Sequence, residues 1–205
     1  YAMEILKKFG MLESKPVSTP IVPGTRVSRD EEGIVIDETY YKQLVGSLMY
    51  LTAIRPDLMF VTSLASRYMS KPTELHLQIV KRALRYLKGT MDFGIFYRRV
   101  EGCKLQGFTD SDYAGDCDDR KSTSGYVFML GVGAVSWSSR KQPIVTLSTT
   151  EAEFVAAASC VCQAIWLKRV LKELGEEEEE VCTDIKCDNS STIKLSRNPV
   201  LHGRS

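Results

Sequence analysis

The sequence predicts an α/β protein: a mixed twisted sheet built in the order βββαβα and preceded by a mainly helical segment. Three observations carry this. Residues 1–100 place apolar side chains at helical spacing between Pro and Gly breaks. From residue 103 the pattern shortens to strand-length apolar runs separated by turns. The run Ser148-Thr149-Thr150-Glu151 then reads as a capping box that opens a long helix, and one more short strand and a helix follow it.

Each element has a local reason. Tyr1 to Gly10 is a short helix, apolar at Ile5, Leu6 and Phe9 and closed by Gly10. Pro16, Pro20, Pro23 and Gly24 make a linker that runs into a turn around Asp30-Glu31-Glu32-Gly33. A second helix spans Tyr40 to Ala53, with Tyr41, Leu44, Val45 and Leu48 on one face. Arg55-Pro56-Asp57 breaks it and starts a third helix through Met69, with Asp57 placed for the positive helix N-terminus. A fourth helix runs from Thr73 to Lys88, stopped by Gly89. Its stripe of Leu77, Val80, Leu84 and Leu87 faces a core, while Lys81, Arg85 and Lys88 recur at i, i+4 and i+7 beside Arg82. Those cations read either as a solvated face or as a helix that tracks phosphates.

The second half begins with a strand from Leu105 to Thr109 that ends at Asp110. Strands at Gly125–Leu130 and Ala134–Ser139 follow, joined by a Gly131-Val-Gly133 turn. In the last of these Val135 and Trp137 alternate with Ser136 and Ser138, as in a half-buried strand. The long helix reaches Leu174, with its buried face expected along Phe154, Ala157, Ala158, Val161 and Ile165. Glu176 to Glu180 form an acidic loop, Thr183 to Cys187 a fourth strand, and a helix starts at Ser190. The crossover should return the fourth strand parallel to the first.

Composition limits the function classes. At 205 residues, 43% apolar and 26% charged, the chain is long and apolar enough to bury a core, which excludes a disordered tail or a collagen-like repeat. The net charge of +1 conceals an asymmetry: residues 1–100 carry 15 Lys/Arg against 10 Asp/Glu, and residues 101–205 carry 12 against 16. A basic surface beside an acidic site follows. The six cysteines contain no CxxC pair, which argues for free thiols rather than a zinc site or disulfide framework. No apolar run is expected to approach the roughly 18 residues of a membrane span, so no membrane partner is expected. The chain starts at Tyr1 and reads as an internal piece of something longer.

The carboxylates carry the chemistry. If the first and fourth strands are parallel neighbours, Asp110 and Asp188 emerge at one carboxyl edge, where open α/β sheets build their sites. A third carboxylate comes from the start of the long helix, at Glu151 or Glu153. Glu151 has a capping role, and Glu153 sits at the edge of an apolar face, where a charge is costly unless it binds something. Three converging carboxylates make an all-oxygen site suited to magnesium, with manganese as the other fit. Two such ions about 3.5–4 Å apart serve phosphodiester cleavage. Ser148, Thr149, Asn189, Arg140 and Lys141 are close in sequence and could contact phosphates or 2′-hydroxyls; the plainer reading makes Ser148 and Asn189 helix caps and Arg140-Lys141 a solvated turn. Asp112 and Asp116 read as loop residues, with Asp112 an auxiliary ligand at most, and His202 as a bystander.

The chain resembles the carboxyl-terminal part of a copia-type retrotransposon Pol polyprotein. The resemblance is carried by Tyr41-Lys-Gln-Leu-Val-Gly-Ser-Leu-Met-Tyr50, Arg55-Pro-Asp57, Arg85-Tyr-Leu-Lys-Gly-Thr90, Thr109-Asp-Ser-Asp-Tyr-Ala-Gly-Asp116, Arg120-Lys-Ser-Thr-Ser-Gly125, Ser136-Trp-Ser-Ser139, Ser148-Thr-Thr-Glu-Ala-Glu153 and Cys187-Asp-Asn189. It implies that residues 1–100 are the tail of a reverse transcriptase with its connection, and residues 101–205 a ribonuclease H-like domain truncated at its C-terminus. Asp110, Glu153 and Asp188 then match three of four metal carboxylates, with Glu153 preferred over Glu151 by its Glu-aromatic/aliphatic-x-Ala context. The fourth is expected beyond Ser205, and the polymerase motif Tyr-x-Asp-Asp is missing, so no polymerase activity and weak nuclease activity are expected of this piece. The implied activity is metal-dependent hydrolysis of the RNA strand of RNA–DNA hybrids. The implied setting is the cytoplasmic virus-like particle, with the nucleus as a second location, and the implied partner is the rest of the polyprotein. The competing readings are an inactive degenerate copy that only binds nucleic acid, and an integrase core. The order Asp, Glu, Asp argues against the integrase, which places its Glu last.

Overall fold

In the computed structural model the chain forms two units, Tyr1–Ile95 and Phe96–Ser205. The structure describes residues 1–98, 104–175 and 182–198. Cys103, the acidic run Glu176–Glu180 and His202 lie outside the described residues.

The first unit is helical: α1 (Ala2–Lys8), α2 (Glu38–Leu51), a 3₁₀ turn (Pro56–Leu58), α3 (Met59–Ser66) and α4 (Glu74–Gly89). The predicted third helix is therefore split, because Pro56 opens a tight turn before the α-helix begins at Met59. Leu6, Tyr41, Leu44, Leu48, Leu58, Leu84 and Leu87 interlock in one core. Leu77 is only partly buried at its edge. Asp57 does not serve as a simple helix-terminal charge. Arg55, 5% exposed, grips its carboxylate from Nε at 2.9 Å and from an η nitrogen at 2.6 Å. The same guanidinium donates to the carbonyl and hydroxyl of Thr90 at 2.8 and 2.7 Å. One side chain thus fixes the 3₁₀ turn to the end of α4. At the other end of α4, Thr73 and His76 form a capping box, and the His76 ring stacks on Tyr68 at 4.1 Å.

The second unit is mixed α/β. Its elements are β1 (Leu105–Ser111), β2 (Thr123–Leu130), β3 (Gly133–Lys141), α5 (Thr149–Glu173), β4 (Asp184–Lys186) and α6 (Ser190–Arg197). The sheet order is β3-β2-β1-β4. The first three strands form an antiparallel meander, and the α5 crossover returns β4 parallel to β1, pairing Phe108 with Lys186. Gly131, at φ +62°, makes the tight β2–β3 turn, a backbone geometry that favours glycine.

Two expectations need correction. The buried face of α5 is Ala152, Glu153, Ala156, Cys160 and Ala164, whereas Val161 and Ile165 are 43% and 48% exposed and Ala158 is also exposed. Small residues face the sheet because Phe128 already fills the space over it. The 25-residue α5 is also long and apolar enough to cross a membrane by length and composition, contrary to the expectation of no such run. A helix packed on a sheet passes the same test, and α5 buries a carboxylate against that sheet.

Candidate metal and hydrolysis site

The site forms at the carboxyl edge shared by β1 and β4. β4 ends at Lys186, opposite Phe108, while β1 continues to Ser111. The N–H of Asp112 bonds across to Thr123 on β2, so by strand alternation the N–H of Ser111 points to the side where β4 has stopped. Glu153 takes that N–H: its Oε1 accepts from Ser111 at 3.1 Å. The first turn of α5 is set for this by Ser148, whose hydroxyl accepts from the N–H of Glu151. The Glu151 carboxylate accepts from the N–H of Leu147 at 2.6 Å, one residue earlier than a capping box requires. Glu151 is thus spent on the helix start and Glu153 faces the sheet edge.

Glu153 is 6% exposed. Burial raises its carboxyl pKa above the ordinary value, the Ser111 N–H opposes this, and the adjoining Asp110 and Asp188 raise it further. Asp110 and Asp188 are themselves exposed, so one buried carboxylate adjoins two solvated ones. Glu153, Cys187 and Asp188 present ligand atoms within 4.8 Å of one another. Asp110 joins them through its contact with Glu153 and accepts the Ser111 N–H at 2.9 Å. The Cys187 thiol, 3.9 Å from Glu153 Oε2, was not anticipated, although its place beside Asp188 in the sequence was a signal. The carboxylate oxygens are hard donors that fit magnesium or manganese; the thiol does not suit either ion and lies beside the set.

The other sequence candidates separate. Lys141 is held by Asp116 and Asp119, each at 2.9 Å, so its charge is spent inside the hairpin and the phosphate role expected for it loses support. Asp116 is buried and also accepts the N–H groups of Asp118 and Asp119, which with Lys141 hold its carboxyl well below the usual range. Asp112 accepts from the N–H of Thr123. Both carboxylates thus make hydrogen bonds that hold the loop between β1 and β2. Asn189 caps α6 by accepting from Thr192 at 2.9 Å, and Ser148 caps α5, so the capping readings fit these two. Arg140 and Thr149 are exposed. In the first unit Lys81 is exposed and Lys88 half-buried, but Arg85 donates from Nε to the carbonyl of Lys15 at 2.6 Å. Arg82 likewise donates to Thr19 at 2.9 Å. The basic face of α4 is therefore partly a strut for the preceding loop.

The carboxylate cluster thus lies at the sheet edge of the mixed α/β unit, which follows the helical unit in the chain. The chain is 41% identical over 204 residues to a retrovirus-related Pol polyprotein from transposon RE1 of Arabidopsis thaliana, covering all of this chain and 14% of that protein. It is 40% identical over 212 residues to the corresponding polyprotein from transposon TNT 1-94 of Nicotiana tabacum, again covering all of this chain and 16% of the relative. An uncharacterized mitochondrial protein of Arabidopsis thaliana is 37% identical over 166 residues, 81% of this chain and 69% of that protein. No family model matches the chain, and no solved structure matches it. Over its whole length the chain is similar to a segment of the retrovirus-related Pol polyproteins of plant transposons. It spans about one-seventh of the length of the polyproteins it matches.

Proposed function

We propose that residues 101–205 are a ribonuclease H-like domain that hydrolyses the RNA strand of RNA–DNA hybrids during reverse transcription, within a larger Pol polyprotein. The observation that supports it most is Glu153, a carboxylate buried at the edge where β1 and β4 run parallel, with Asp110 and Asp188 close enough to act on its charge. A buried acid with its pKa raised by like charges is unfavourable for folding alone, and clusters of this kind mark functional sites. Asp110, Glu153 and Asp188 would hold magnesium, with manganese as an alternative, and the metal supplies charge stabilisation and an activated water in phosphodiester cleavage. The chain's own contribution is to keep Glu153 in place through the Ser111 N–H and the α5 cap. Its exposed Asp110 and Asp188 leave that edge open to a duplex. Arg140, Thr149, Lys81 and Lys88 are the side chains left for phosphate contacts, and a hybrid is the proposed partner.

The test is magnesium-dependent cleavage of a labelled hybrid by the full chain. Asp110→Asn and Glu153→Gln should each abolish cleavage with the fold intact, and Glu151→Gln should not. Loss with Glu151→Gln and survival with Glu153→Gln would overturn the assignment. Hybrid binding without cleavage by the unaltered protein would favour a degenerate copy that only binds nucleic acid.

A further inference from the structure

Gln142 follows β3 directly and is 3% exposed. Its amide nitrogen reaches three elements: Ser124 Oγ on β2 at 2.8 Å, the Ala152 carbonyl in the first turn of α5 at 2.9 Å, and Ser111 Oγ at the end of β1 at 3.3 Å. Its main-chain N–H donates to the Ser122 carbonyl at 2.8 Å, so the side chain projects from a fixed base. The amide cannot be turned round, because its oxygen would then meet the Ala152 carbonyl, acceptor against acceptor. As it stands, Oε1 is buried and has no hydrogen-bond partner among the described residues. A buried amide oxygen left unpaired opposes folding, and a Met or Leu would fill the same space without that cost. What an alkyl group lacks is the donor. The residues that Gln142 holds are the chain neighbours of the two central carboxylates: Ser111 follows Asp110, and Ala152 precedes Glu153.

We propose that Gln142 is a positioning residue, which fixes the first turn of α5 against the ends of β1 and β2 and thereby sets Glu153 on the Ser111 N–H beside Asp110. Its bearing on metal binding rests on the metal-site reading above; its hold on Glu153 does not. Magnesium requires near-octahedral geometry, so a carboxylate free to swing with its helix binds it poorly. Groups that orient metal ligands typically change metal affinity by about 10–100-fold when removed.

The experiment uses the full chain, with Gln142→Met, which keeps the volume and removes the donor, and Gln142→Asn, which keeps a donor on a shorter arm. Hydrogen exchange of the Ser111 amide is measured by NMR without metal, alongside amides of the β2–β3 ladder and the thermal midpoint. Manganese binding is measured by titration calorimetry. Gln142→Met should speed exchange at Ser111 by about tenfold, the effect of weakening one bond to a carboxylate, with the β2–β3 amides unmoved. It should also raise the manganese dissociation constant about tenfold. Ser111 exchange equal to the unaltered chain overturns the proposal. Equal acceleration of Ser111 and the ladder amides in both variants does so too, since it would mark Gln142 as general packing. If Gln142→Met fails to fold, the same Ser111-to-ladder comparison in Gln142→Asn decides. Absence of manganese binding by the unaltered chain would sink the metal-site reading, while Ser111 exchange would still decide the role of Gln142.

Discussion

Gly107 on β1 lies directly across from Phe128 on β2, and a Cβ added at Gly107 would sit 2.8 Å from the Phe128 ring and 3.4 Å from Cys160 Sγ. Phe128 is fully buried, so the ring has nowhere to move. Gly107→Ala should therefore destabilise the second unit by about 1–3 kcal/mol, the usual cost of overpacking a filled core. Pairing it with Phe128→Leu should recover part of the loss. Chemical denaturation of the two variants checks this, and a neutral Gly107→Ala would show that the sheet and α5 can separate without strain.

The same contact explains what the sequence could and could not disclose. Strand order, the parallel return of β4 and the placement of Asp110 and Asp188 at one edge followed from spacing and from the handedness of crossovers. The inward face of α5 did not. The apolar series along the helix favoured Val161 and Ile165, but the ring of Phe128 leaves room over β1 for Gly107 and for small helix residues such as Ala156 and Cys160. That constraint comes from a partner element, not from the helix. Lys141 shows the same limit in charge: nothing in Arg140-Lys141 announces that Asp116 and Asp119 fold back onto it across the hairpin loop.

Glu153 gives a prediction with a sign. Its folded pKa is raised, so protonation is favoured in the folded state, and the charged form opposes folding once pH exceeds the raised value. Without metal, Glu153→Gln should be more stable than the unaltered chain at neutral pH. The advantage should shrink as pH falls through the raised folded value and vanish below the ordinary 4.5. Denaturation midpoints at stepped pH, with chelator present, measure it. A variant less stable at neutral pH would mean that the Ser111 bond outweighs burial and the neighbouring charges.

Asp116 should behave oppositely. Its pKa is depressed, so its contribution is complete above the ordinary 3.8 and is lost as pH falls toward the folded value. Asp116→Ala removes one of the two carboxylates that hold Lys141 and the acceptor of two loop N–H groups, and should cost about 1–3 kcal/mol at neutral pH. The variant should lack the part of the acid-induced loss that Asp116 supplies. Asp116→Asn should leave manganese affinity unchanged, because this carboxylate serves the loop; a weakened affinity would return it to the metal site.

The basic face of α4 is the last case. Lys81 and Lys88 stand seven residues apart, about 10 Å along the helix, and are the cations of that face without a bond to the preceding loop among the described residues. If the face meets a duplex, each phosphate contact contributes about 0.9 to the slope of log affinity against log salt. Lys81→Gln with Lys88→Gln should then flatten that slope by about two counterions without moving the thermal midpoint. Arg85→Gln should do the reverse, since its Nε holds the Lys15 carbonyl: a lower midpoint with a smaller change in slope. Hybrid binding measured at several salt concentrations separates the two effects. An unchanged slope in the double lysine variant would leave α4 with a solvated face and a structural role only.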